Sequence, residues 1–160
     1  MLFRSTLFTP PELGVPHQEP SGGRDALSGI SASHGTRVGA TICGDDPAAR
    51  FRGVAPRVPL VPVRVTDSVW LNAAQREWAQ AVEYLVRDAG VSVINCSLGT
   101  FASTVQAELR RAVNTAYEAG VILCCAAGNI VNEVVPPASL PRTLAIGGVT
   151  QGDQPWSGSA

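Results

Sequence analysis

The sequence contains no lysine; arginine supplies all of its basic side chains apart from two histidines. Acidic residues number 13 against 12 arginines, giving a net charge of −1 with the histidines neutral. Without a basic surplus the chain lacks the electrostatic footprint of a nucleic-acid or anionic-membrane binder. Charged residues are scarce at 16% and hydrophobic ones plentiful at 45%, the balance of a folded chain rather than a disordered one. No apolar run is long enough to span a bilayer. Met1 to Phe8 lacks the apolar core of a signal peptide. No Cys-x-x-Cys pair is present, which removes the common zinc spacings. No phosphate-binding glycine signature follows a strand, so a nucleotide-binding reading has nothing to rest on.

What is present begins with four cysteines, Cys43, Cys96, Cys124 and Cys125. Three sit in apolar, strand-like runs. Adjacent Cys124 and Cys125 point to opposite faces of a strand and are not expected to bridge each other. They read as reduced, buried small hydrophobes. Unpaired thiols lean toward a reducing compartment such as the cytoplasm and leave export of a longer chain open.

Residues 1–33 are rich in proline and glycine without periodicity and are expected to be loop, partly disordered. The organised domain is expected over residues 34–160. His34 to Cys43 has the spacing of a short helix, closed by Gly44-Asp45-Asp46-Pro47. Leu60 to Val65 suggests a strand interrupted by Pro62. Asn72 to Ala89 carries an apolar stripe through Trp78, Ala81, Val82, Leu85 and Val86, with Gly90 as a stop. Val91 to Cys96 is a β-branched strand. Thr104 to Ala119 is a second amphipathic helix, with Leu109, Ala112, Val113 and Ala116 on one face and Gly120 as a stop. Val121 to Ala127 is nearly all apolar, as in a strand with both faces covered. Thr143 to Val149 is a last strand. This alternation predicts an α/β three-layer sandwich with a mainly parallel sheet and helices on both faces. In such folds the chemistry gathers beyond the carboxyl ends of the strands.

Four segments carry chemical potential. His34 opens the first helix in Ser-His-Gly-Thr-Arg-Val, and an imidazole can exchange protons near neutral pH. The next glycine permits close approach, and a nearby threonine can help cap the helix. Gly53-Val54-Ala55-Pro56 is a turn leading into a strand. Asn95-Cys96-Ser97-Leu98-Gly99 ends a buried strand in a small polar stretch, which an extended peptide could pair with. Ala126-Ala127-Gly128-Asn129 ends another. Its small side chains leave a slot, and the asparagine amide could donate to a developing oxyanion or merely take a left-handed turn conformation.

Taken in order, these segments resemble the subtilase family of serine peptidases. The resemblance runs from about His34 to Gly158 and ends with Leu-Ala-Ile-Gly-Gly-Val at residues 144–149. It implies that His34 is the catalytic base and Asn129 the oxyanion donor. It implies that Ser97, Leu98 and Gly99 pair with an extended polypeptide substrate. Ala126, Ala127 and Gly128 would then wall the main specificity pocket and admit a fairly large side chain. No metal site and no cofactor are evident; calcium enters only through the family. Asp45-Asp46 reads as a solvated turn.

The departures matter as much. The family's order is Asp, His, Ser. Asp25, the one aspartate before His34, follows Gly-Gly-Arg rather than an apolar strand, and Glu12 and Glu19 suit the role no better. No Gly-Thr-Ser follows Asn129, and Ser157 and Ser159 sit in a different context. The fold is therefore expected to be incomplete at both ends. The sequence is expected to be a serine endopeptidase fragment lacking a recognisable triad aspartate and serine. The alternative is a catalytically inactive peptide-binding homologue.

Overall fold

The computed structural model describes residues 6–7, 17–18, 33–56, 58–66, 68–101, 103, 105–129 and 132–160. The chain packs into two compact units, Met1–Ser68 and Val69–Ala160.

In the first unit, helix α1 spans His34–Cys43, the bounds expected from its spacing. Ser33 precedes it in a left-handed conformation (φ 55°) and makes no side-chain cap bond. The helix ends at Gly44, whose N–H reaches Ala40 O at 2.8 Å. The chain then makes a small hairpin, β3 (Asp45–Asp46) against β4 (Phe51–Arg52). The exposed Asp46 carboxylate accepts from Ala49 N at 3.0 Å within that turn.

Gly53 to Ala55 returns to α1. Val54 N and Ala55 N donate to Thr41 O and Ile42 O at 3.0 and 2.7 Å. These are carbonyls of the helix's last turn, which has no intrahelical donors for them. A Cβ on Gly53 would lie 2.8 Å from both Ala40 O and Ile42 O, so only glycine permits this approach. The segment is thus a backbone cap on the helix that begins at His34.

Three short strands complete this unit. Strand β1 (Thr6–Leu7) pairs antiparallel with β2 (His17–Gln18) and parallel with β5 (Val63–Arg64). Two strands therefore fall inside the stretch expected to be loop; each is two residues long, too short to leave an alternating pattern. The strand expected over Leu60 to Val65 shrinks to two residues because Pro62 has no N–H for a ladder.

In the second unit, α2 (Gln75–Arg87) and α3 (Ala107–Glu118) pack on each other. They accompany a parallel sheet of β6 (Val93–Cys96), β7 (Ile122–Ala126) and β8 (Leu144–Ile146), in that order. Both helices stop at left-handed glycines, Gly90 (φ 60°) and Gly120 (φ 74°). Leu109, Ala112, Val113 and Ala116 of α3 are buried, as are Trp78, Ala81, Val82 and Leu85 of α2. The sheet meets them with Ile94, Cys96, Leu123 and Cys125. Trp78 and Cys125 both lie against the Cys96 sulfur, which places α2 on this same face. The contact with Cys96, then burial, pushes the Cys125 thiol up, so it stays protonated. All four cysteines are free.

Within this unit the two faces of the sheet differ in burial. Along β7 burial alternates, and Ile122 is 49% exposed while Leu123 is 2% exposed. Val93, Leu144 and Ile146 are also exposed. The described helices of this unit share one face, and the other is an open apolar surface.

Candidate active site

Strands β6 and β7 run side by side up to the pair Cys96↔Cys125. Past that point they take different partners. Residues 97–99 turn to the segment before α2: Gly99 N donates to Val69 O at 3.0 Å, and Leu71 N donates to Gly99 O at 2.7 Å. The continuation of β7 stays with β8 through Ala127 N to Ile146 O, 2.9 Å. The divergence opens a cleft at the carboxyl ends of the two strands, where a parallel sheet offers a crevice.

Six of the residues marked by the sequence line this one cleft: Ser97, Leu98 and Gly99 on one side, Ala126, Gly128 and Asn129 on the other. Ala127, assigned to the same wall, is buried instead and is not among the lining residues. Side chains alternate across a strand, so Ala126 facing the cleft turns Ala127 away. Its backbone ties the wall down, giving its N–H to Ile146 O and accepting Val135 N at 2.8 Å. Asn129 is exposed at the rim. The left-handed residue of this turn is Gly128 (φ 119°), not Asn129. His34 belongs to the first unit, half-buried as the first residue of α1.

A polar network behind Gly99 was not marked by the sequence. Thr100 and Gln75 are fully buried. The Thr100 hydroxyl donates to Asn72 Oδ1 at 2.7 Å and accepts from Gln75 Nε2 at 3.3 Å. Gln75 Oε1 accepts from Gln106 N at 2.9 Å. Buried polar groups persist only when paired, and here the pairing pins the cleft edge to the start of α2. Trp70, which lines the cleft, stacks on Phe101 with ring centroids 5.0 Å apart.

Val135 also lines the cleft and was missed as well. A Cβ on Gly99 would lie 2.8 Å from Val135 Cγ2, and one on Gly128 would lie 3.3 Å from the same atom. The valine methyls therefore fill the space between the two glycines. No local signal reveals this, because the contact joins residues distant along the chain.

The alternative triad candidates fare differently. Asp25 lies outside the described residues. The Ser159 hydroxyl accepts from Gly148 N at 2.9 Å and so ties its own segment to the loop after β8. Among the described residues no cluster of three His, Cys, Asp or Glu could hold a metal, and no helix is long and apolar enough to cross a membrane.

A parallel sheet flanked by helices, with a cleft at the carboxyl ends of its strands, places the chain among the α/β folds. The sequence pattern of the subtilase family matches residues 16–160, and the chain belongs to that family. It is 33% identical to subtilisin E of Bacillus subtilis (strain 168) over 129 residues, covering 77% of this chain and 32% of that protein. It is also 33% identical to the major intracellular serine protease of the same organism, covering 82% of this chain and 42% of that one. The chain thus spans less than half the length of these relatives. Among solved structures, the prenylagaramide maturation protease PagA superposes with a TM-score of 0.71 at 32% identity, over 79% of this chain and 46% of that one. A mutant of the PatA protease domain gives 0.74 at 28%, over 98% and 54%. The fold is therefore the subtilisin-like α/β fold, incomplete relative to these proteins.

Proposed function

We propose that this chain is the peptide-holding part of a serine endopeptidase, supplying the base and one oxyanion donor but no nucleophile. The observation that carries this is the cleft itself, which gathers Ser97, Leu98 and Gly99 with Ala126, Gly128 and Asn129 at two strand ends. An extended polypeptide lies in the cleft against Ser97 and Leu98, with Gly99 held to Val69 and Leu71 behind it. The Asn129 amide donates to the oxyanion that forms when the scissile carbonyl is attacked, as the asparagine of subtilisin does. His34 takes the proton from the attacking serine and passes it to the leaving amine. Membership of the subtilase family supports these roles.

No Gly-Thr-Ser follows Asn129 in this sequence. Imidazole and carboxamide can position and polarise, but an acyl-enzyme needs a nucleophile. The chain by itself is therefore catalytically silent. Calcium enters this reading by family resemblance alone, and the free cysteines support a reducing compartment.

A fluorophosphonate probe tests the silence. The expected result is no labelling above that of the heat-denatured chain. Labelling of one serine that disappears in His34→Ala would show a working triad and overturn it.

A further inference from the structure

We infer that Val135 sets the specificity of the cleft and restricts it to a small, uncharged substrate side chain. This rests on the reading that the cleft binds peptide. The small residues Ala126 and Gly128, with Gly99 opposite, suggested room for a large side chain. The geometry reverses that expectation. Val135 is 8% exposed and stands between the two walls, its methyls at the distances from Gly99 and Gly128 given above. The remaining cavity is about 60 Å³. A cavity that takes a benzene ring measures about 150 Å³, so this one has room for a methyl or hydroxymethyl group and too little for an aromatic ring.

The wedge is also held. Val135 N donates to Ala127 O at 2.8 Å, which fastens it to one wall. The next carbonyl, Pro136 O, accepts Thr100 N at 2.8 Å, which fastens it to the other. Valine is stiff at χ1, and the prolines at 136 and 137 fix their own φ angles. A large side chain cannot push the methyls aside without breaking both bonds. None of the described lining residues is charged, so the cleft offers no partner for a charged substrate group.

Fluorescence anisotropy on the full chain decides this. The probes are fluorescein-labelled pentaalanine and a series with phenylalanine at each position in turn. At the position that enters the cleft, phenylalanine should weaken binding about tenfold or more, the scale on which an apolar pocket rejects a mismatch. Val135→Ala should shrink that gap. Val135→Ile should weaken pentaalanine itself, and it decides the matter if Val135→Ala fails to fold by far-UV circular dichroism. Binding that ignores phenylalanine everywhere, or a preference unmoved by the variant that folds, overturns the role of Val135 and leaves peptide binding standing. No binding of any peptide to the wild-type chain overturns the peptide-binding reading and this inference with it.

Discussion

Two faces of one short sheet behave as different materials. On the face turned to α2 and α3, Ile94, Cys96, Leu123 and Cys125 are buried. On the opposite face Val93, Ile122, Leu144 and Ile146 lie open to solvent. The residue types are nearly the same. What differs is whether a helix covers them, and that decides which contacts contribute to stability. Monomeric proteins seldom expose a contiguous apolar patch of this kind without a partner for it.

Neighbouring residues on β7 test the contrast most sharply. Leu123→Ala should destabilise the chain by about 2–5 kcal/mol, the usual cost of emptying a packed leucine site. Ile122→Ala, one position away, should cost less than about 1 kcal/mol, as at a site without packing around it. Urea denaturation of both variants checks this, and equal losses would mean that both faces are covered in solution.

A smaller effect is expected at the buried polar edge of the covered side. Thr100→Val removes a hydroxyl bonded to Asn72 and Gln75. Leaving the Gln75 amide underpaired should cost about 1–3 kcal/mol. It should also loosen the cleft edge, seen as faster amide exchange at Gly99. Unchanged exchange there would detach the network from the cleft.

The smallest effect on stability should come from the open face. Ile122→Thr with Leu144→Thr should shift unfolding by about 0.5 kcal/mol or less per site. Self-association, read by sedimentation velocity, should fall. A parent chain that sediments as a clean monomer at every concentration would show that the open face is not adhesive.

Much of the fold was legible locally. Helix α1 starts and stops where its spacing and Gly44 require. Gly90 and Gly120 marked the ends of α2 and α3 because each adopts a left-handed conformation there. Expected strands came out shorter where proline or glycine intervenes: Pro62 before β5, Gly147 and Gly148 after β8. Ser97, Leu98, Gly99, Ala126, Gly128 and Asn129 line one cleft, while strand alternation turns Ala127 inward. The Gln75–Thr100 pair and Val135 gave no sequence signal, since each acts through a contact between distant segments.

The sequence by itself determined the α/β alternation, the glycine stops and the placement of small polar stretches at strand ends, because each follows from backbone preference and side-chain period. Only the tertiary structure decided which face of the sheet is covered, which polar groups are pinned behind the cleft, and how much room the cleft holds. Those depend on packing between segments far apart in the chain. A run such as Ile-Leu-Cys-Cys reads the same whichever side a helix lies on, and a slot between two glycines looks open until a valine from elsewhere stands in it.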